Sequence, residues 1–217
     1  MRSRLLLLPW LLGLMCAAPA VCSPRGTPPP VAASKAKSPT EKKVTRKARG
    51  PHVARRASHL VGASLAAYRV PDDCSGLVRL AYHSVGVELL SQGMRPGENA
   101  ASAMYRRARK AGALHRRGPQ PGDIVFFRET YDRNRDGVRN DGVTHVGVIE
   151  TVAAEGTVVF VHRAGAGVVR SRMNLRRPVR QTPQGRVLND YLRRAEDGER
   201  ARLTSELFAG YASASRL

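Results

Sequence analysis

The sequence predicts an α+β domain in which N-terminal helices pack on an antiparallel sheet. Two observations lead to this prediction. Apolar residues recur at helical spacing through residues 52–114, and short β-branched segments bounded by glycine or proline follow from residue 122. Helices that come first, followed by strands with short connections, are typical of this class, because neighbouring strands then pair as antiparallel hairpins.

The chain begins with the features of a secretory signal peptide. Two arginines precede a short apolar run, and small residues with a proline end it. We predict a signal peptide over residues 1–22 and therefore export to the periplasm, the cell envelope or the medium. A membrane anchor is one alternative, because the apolar run is just long enough to span a bilayer. Lipidation at Cys16 or Cys22 is another.

Residues 23–51 are rich in proline, alanine and lysine and contain few large apolar residues. Such a segment cannot bury enough surface to offset the entropy lost on ordering, so we predict a flexible basic linker. The chain has 37 Lys and Arg against 17 Asp and Glu residues, a net charge of +20. We therefore expect the linker to bind anionic cell-wall polymers. The signal peptide and the aromatic content of 5% argue against nucleic acid, and we expect a monomer.

The globular part is predicted over residues 52–217. Its helices are expected at residues 52–68, from Cys74 onward and at residues 99–114. Strands are expected at residues 122–127, 144–152 and 156–164. The last stretch, residues 186–212, has apolar residues at helical spacing and is predicted to form a C-terminal helical extension.

Cys74 is the only cysteine beyond residue 22. Structural cysteines of exported proteins occur in pairs, so an unpaired thiol needs an explanation. Pro71, Asp72 and Asp73 form a helix start that places Cys74 in the first turn. The N–H groups there stabilise an anion, so we expect a lowered thiol pKa and an oxyanion site, with Gly76 leaving room for the substrate backbone. A buried structural thiol is the alternative.

Two of the six histidines are candidates for a catalytic base. His145 begins one predicted strand, and His162 lies near the end of the next. Because a short turn joins these strands, we expect a hairpin that brings both imidazoles to one end of the sheet. One imidazole can then accept the thiol proton while the other orients it. The other four histidines lie among polar residues and are interpreted as surface.

Four motifs occur in order along the globular part: DCSGLVRLAY, PGDIVFF, THVGVIE and FVHR. Together they resemble the NlpC/P60 family of papain-like cysteine peptidases over about residues 71–174. The resemblance implies a papain-like fold and cleavage of peptidoglycan stem peptides, typically between D-glutamate and a diamino acid. It also implies Cys74 as nucleophile, His145 as general base and His162 as the orienting residue.

The same resemblance assigns the substrate contacts. Asp73 and Ser75 would contact the free amino end of the stem peptide. Tyr68 is the only match for the oxyanion tyrosine that family members carry before the cysteine, and the glycine pair that usually follows it is missing here. An N-acetylmuramoyl amidase or an acyl transferase would use the same thiol site. Outside the enzymes, the alternative is a non-catalytic basic protein that binds the cell wall.

One loop carries a calcium-binding pattern. Asp132, Asn134 and Asp136 occupy positions 1, 3 and 5 of this pattern, and Gly137 occupies position 6. Position 12, which supplies a bidentate carboxylate, is Val143. The loop is therefore interpreted either as a structural calcium site or as an Asx- and glycine-rich hairpin loop. The predicted chemistry requires no metal or other cofactor.

Overall fold

The computed structural model describes residues 44–195 and 198–217. The predicted signal peptide, residues 1–22, and most of the predicted linker lie outside these residues. None of the helices in the described part combines the length and the apolar character that crossing a membrane requires.

Three helices form the first half of the domain: α1 (Arg49–His59), α2 (Cys74–His83) and α3 (Ala100–Lys110). Short 3-10 turns at Arg46–Ala48 and Leu65–Tyr68 precede α1 and α2. Each helix buries apolar residues four positions apart, which places them on one face. These pairs are Val53 and Ala57, Leu77 and Ala81, and Met104 and Ala108.

Eight strands and one helical turn follow: β1 (Leu114–His115), β2 (Ile124–Arg128), β3 (Val143–Val152), β4 (Val158–Ala164), β5 (Gly167–Met173), β6 (Tyr191–Arg193), β7 (Arg202–Leu203), α4 (Thr204–Leu207) and β8 (Phe208–Ala212). Six of these strands form one sheet in the order β1-β8-β2-β3-β4-β5, with every neighbouring pair antiparallel. Strands β6 and β7 form a separate pair.

The large sheet is covered on both faces. In β2, Ile124 and Phe126 belong to the core beneath the helices, whereas Val125 and Phe127 belong to a second core on the opposite face. This alternation follows from the two-residue period of a strand. The second core also contains residues from α4 and β8. The predicted α+β class, with helices packed on an antiparallel sheet, is confirmed.

The C-terminal segment differs from the predicted helical extension. Residues 191–212 contain three strands and a single helical turn instead of one long helix. The last of these strands, β8, lies between β1 and β2 in the sheet, and all five of its residues are buried. A strand buried on both faces carries no polar alternation, so its apolar residues resemble a helical stripe in the sequence.

The globular part also starts earlier than predicted, because α1 begins at Arg49, inside the predicted linker 23–51. Gly50 and Gly122 explain this start. A Cβ atom on Gly50 would lie 2.6 Å from the carbonyl oxygen of Pro121, and one on Gly122 would lie 2.1 Å from the carbonyl oxygen of Gly50. The two glycines therefore allow the backbone of α1 to contact the turn before β2.

Candidate active site

Cys74 is the first residue of α2, and Asp73 is the N-cap. Asp73 Oδ1 accepts hydrogen bonds from the backbone N–H of Gly76 at 2.9 Å and from the hydroxyl of Ser75 at 2.7 Å. These bonds are those expected of an aspartate cap. Because α2 contacts β3 and β4, this start brings the thiol to the strands that carry the two histidines.

The β3–β4 hairpin brings His145 and His162 together. His145 Nε2 lies 2.8 Å from His162 Nδ1, and the two rings are nearly perpendicular, at 88°. His162 Nε2 lies 3.0 Å from the hydroxyl oxygen of Ser171, which is buried in β5. The three side chains therefore form one hydrogen-bonded series across β3, β4 and β5.

Gly147 permits this close contact between the strands. A Cβ atom at this position would lie 2.8 Å from Cδ2 of Phe160 and 2.9 Å from the carbonyl oxygen of Val161. It would also lie 3.3 Å from Cβ of His162. A larger residue would push β4 away, and the imidazole pair would separate.

Cys74, His145 and His162 line one open cleft with a volume of about 540 Å³. This volume lies within the usual range for sites that bind small molecules and short peptides. Asp73 and Ser75 line the same cleft. Ser75 is buried and donates its hydroxyl proton to Asp73, so it acts on a ligand through the position of that carboxylate.

Burial controls the protonation of the three central groups. It raises the pKa of the Cys74 thiol to about 11, although backbone N–H groups of Val146, Cys74 and Ser75 lower it. Burial lowers the pKa of His145 to about 4. Burial and the charge of His145 lower the pKa of His162 to about 3. The predicted lowering of the thiol pKa is therefore not found, because desolvation outweighs the helix start.

The resting site at neutral pH consequently holds a neutral thiol and two neutral imidazoles. A neutral imidazole has one N–H donor and one acceptor nitrogen. When Nε2–H of His145 donates to His162 and Nε2–H of His162 donates to Ser171, the lone pair of His145 is left on Nδ1. This arrangement makes Nδ1 of His145 the acceptor for a proton.

The thiol pKa leads to a testable prediction about alkylation. Only the thiolate reacts with iodoacetamide, so the rate at Cys74 is expected to rise about tenfold per pH unit from pH 6 to pH 9 without levelling off. The rate is measured by mass spectrometry of the tryptic peptide 70–79, which contains this cysteine alone. A short unstructured peptide with one cysteine is the control, and its rate levels off near the ordinary thiol pKa of about 8.5. A fast, pH-independent rate at Cys74 below pH 7 would contradict the prediction.

The surroundings of Tyr68 and Gly76 differ from those predicted for them. Tyr68 lines a separate groove with Leu80 and His83, and the guanidinium carbon of Arg56 lies 5.3 Å from the centre of its ring. Its position therefore does not support the predicted contact with substrate. The space above Gly76 is filled by the chain itself. A Cβ there would lie 1.9 Å from the carbonyl oxygen of Pro71, so this glycine serves the fold instead of a substrate backbone.

Two residues of the site were missed by the sequence analysis. Ser171 lies in β5, a strand that the sequence analysis did not predict, so no signal pointed to it. Tyr131 lies between β2 and β3 and lines the cleft with Cys74. Burial raises the pKa of Tyr131, and the negative charge of an ionised Cys74 would raise it further. Tyr131 directly precedes the Asx-rich loop, and no local pattern in the sequence marks its phenol as part of the site.

The predicted calcium loop has its oxygens occupied by the chain. Asp132 accepts backbone hydrogen bonds from Arg135 at 2.7 Å and Gly137 at 2.8 Å, and Asn134 Nδ2 donates to Asp136 at 2.8 Å. Among the residues that the structure describes, no group of three or more His, Cys, Asp or Glu side chains is placed to hold a metal ion. These bonds within the loop are typical of an Asx-rich hairpin loop, and calcium binding at Asp132, Asn134 and Asp136 stays a prediction.

Comparison with known proteins identifies a family. Residues 62–182, more than half of the chain, match the sequence profile of the NlpC/P60 family. The matched segment contains Cys74, His145, His162 and Ser171 and ends before β6. Neither a curated protein nor a solved structure matches the chain at a significant level.

Proposed function

The chain belongs to the NlpC/P60 family, whose members act as peptidoglycan hydrolases or peptidases, and on this premise we propose that it is an exported cysteine peptidase. Its proposed reaction is hydrolysis of a peptide bond next to D-glutamate in peptidoglycan stem peptides. The observation that carries this proposal is the position of a helix-start thiol in one cleft with two hydrogen-bonded histidines.

The proposed reaction starts with proton transfer. His145 Nδ1 accepts the proton of the Cys74 thiol as a substrate carbonyl binds, and the thiolate attacks the carbonyl carbon. The backbone N–H groups at the start of α2 stabilise the negative charge on the carbonyl oxygen. The intermediate then expels the amine, which takes its proton from His145, and a thioester remains on Cys74.

The second half of the reaction releases the acyl group. His145 removes a proton from water, which attacks the thioester carbonyl and forms the carboxylic acid product. The proton then returns to the departing thiolate, so the site ends in its starting state. His162 and Ser171 are positioning residues here, because they act on the substrate only through the orientation of His145.

Because the raised thiol pKa leaves little thiolate in the free site, the nucleophile has to form within the bound complex. A thiolate beside an imidazolium is a pair without net charge, so the pair costs less to desolvate than an isolated thiolate. The neutral resting thiol also protects the free enzyme from oxidation, because oxidants attack the thiolate. We therefore propose that substrate binding triggers the proton transfer.

The proposed place of action is the cell envelope. The signal peptide predicted over residues 1–22 supports export, and the net charge of +20 supports attraction to anionic wall polymers. The basic segment 23–43 would hold the catalytic domain near the wall and leave the cleft free to sample stem peptides.

Hydrolysis of defined muropeptides tests the reaction type. The full chain and its Cys74→Ala variant are incubated with L-alanyl-γ-D-glutamyl-diamino acid, both as the free peptide and attached to its disaccharide, and the products are weighed by mass spectrometry. The proposal predicts release of the diamino acid by the unsubstituted protein alone. Release of the intact peptide from the sugar would identify an amidase, and addition of an amine acceptor would identify a transferase. Unchanged substrate, bound by both proteins, would identify a wall-binding protein.

A further inference from the structure

One wall of the cleft comes from outside the segment that matches the family. Tyr191 and Leu192 of β6, and Arg194 directly after it, line the cleft beside Cys74 and His162. The family match ends at residue 182, so the family match assigns no role to this wall.

This wall is held in place by three contacts. Leu192 packs against the second core, on the sheet face opposite the helices. Arg193 Nη1 donates to the carbonyl oxygen of Glu129 at 3.2 Å, and the guanidinium carbon of Arg180 lies 5.0 Å from the ring centre of Tyr191. The backbone that carries Arg194 is therefore attached to both the sheet and the loop after β2.

The two arginines of the cleft differ in their partners. Arg163 forms a two-pronged ion pair with Asp72, with both N–O distances at 2.9 Å. Arg194 is exposed and makes no hydrogen bond or ion pair with any residue in 44–195 or 198–217. A methyl group on Gly165 would lie 4.0 Å from Arg194 Nη2, so the guanidinium lies along the turn between β4 and β5, which also lines the cleft.

The two charged groups of the cleft that form no ion pair within the described part of the chain, Asp73 and Arg194, have opposite signs. Asp73 Oδ1 accepts the two hydrogen bonds of the helix start, and Oδ2 makes none with the described residues. The cleft therefore presents one negative group beside Cys74 and one positive group on the β6 wall. A ligand that fits both has a cation at one end and a carboxylate at the other.

We propose that Arg194 binds a carboxylate of the substrate peptide and thereby selects stem peptides whose D-glutamate carboxylate is free over those in which it is amidated. This inference rests on the proposed function. Arginine suits this role because its planar guanidinium forms two parallel hydrogen bonds to a carboxylate. An amide offers one acceptor oxygen and no charge, so it loses most of this interaction.

The test compares Arg194→Gln with the unsubstituted full chain on two stem peptides that differ only in this carboxylate or amide. With the free carboxylate, the variant is expected to raise KM about 10- to 100-fold and to keep kcat within about threefold, since the lost bonds contribute equally to ground-state and transition-state binding. With the amidated peptide, both proteins are expected to show the same high KM. Arg194→Lys is expected to recover part of the preference.

Arg186→Gln is the matched control, because it removes the same charge at an exposed ion pair with Glu155 outside the cleft. Equal KM values of Arg194→Gln and the unsubstituted protein on the free carboxylate would overturn the inference. An equal loss on both peptides would also overturn it, since that result indicates a structural role.

Binding separates this inference from the proposed function. Calorimetry with the Cys74→Ala protein, with and without Arg194→Gln, measures affinity for the two peptides without any hydrolysis. Loss of affinity for the free carboxylate alone upholds the inference even when the unsubstituted protein cleaves neither peptide. Cleavage by the unsubstituted protein with unchanged affinities in the Arg194→Gln background overturns the inference and leaves the proposed function standing. Absence of both binding and cleavage overturns both.

Discussion

Replacing His145 by glutamine is expected to lower kcat/KM for stem-peptide hydrolysis by about 10³-fold or more. Glutamine preserves the size of the side chain and can still donate to His162, but it cannot accept the proton of Cys74. Because the thiol pKa is raised to about 11, very little thiolate exists at neutral pH without this base. The rates are measured by chromatography of the released diamino acid.

His83→Gln is the control for this substitution. His83 ends α2 on the far side from the thiol, its side chain is 71% exposed, and its nearest charged group is Glu88. The control is expected to retain the full rate. A His145→Gln variant that keeps more than a tenth of the rate would show that another group serves as base.

The pH dependence of kcat/KM follows from the same imidazole. Burial lowers the pKa of His145 to about 4, so the neutral form that accepts a proton persists well below pH 6. The acid limb of kcat/KM is therefore expected near pH 4, with activity falling as pH decreases. A limb near pH 6.5, the value of an exposed histidine, would indicate that His145 is charged at the start of the reaction or is not the base.

Replacing Gly76 by alanine is expected to destabilise the domain by about 3 kcal/mol and to reduce activity with it. The added Cβ would lie 1.9 Å from the carbonyl oxygen of Pro71, and two backbone segments cannot separate without moving the N-cap Asp73. For a domain of this size the midpoint of thermal unfolding falls by roughly 10 °C. Calorimetry or circular dichroism measures this shift.

Gly165→Ala is the matched control, because the space around this glycine is open. A Cβ there meets nothing closer than 4.0 Å, and its backbone has an ordinary conformation. Its midpoint is expected to change by less than about 2 °C, because the added methyl group causes no strain. If both variants unfold at the same temperature, the close contact between α2 and Pro71 does not contribute to the stability of the domain.

The parts of the site that were predictable depend on local sequence. A Pro-Asp-Asp start before an apolar run fixes a helix beginning, so the place of Cys74 in the first turn followed from the residues alone. The contact between His145 and His162 was predictable as well, because a short turn joins β3 and β4 and pairs them as a hairpin. In both cases the residues concerned are close in the chain or joined by one turn.

The parts that were not predictable depend on contacts between distant segments. The thiol pKa rises because residues from other elements bury Cys74, and the sequence does not show how completely they do so. Strand β8 enters the sheet between β1 and β2, about 80 residues from its partner β2, and its unbroken apolar run fits a helix as well as a buried strand. Placing Arg194 in the cleft requires this C-terminal path to be known.

The most direct test of a thiol-dependent wall hydrolase is mass spectrometry of purified peptidoglycan after incubation with the full chain or with its Cys74→Ala variant. Walls with different stem-peptide chemistries are digested in parallel. The proposed mechanism predicts new fragments from the unsubstituted protein alone, with masses that correspond to cleavage next to D-glutamate. Identical fragment patterns from the two proteins on every wall would contradict it.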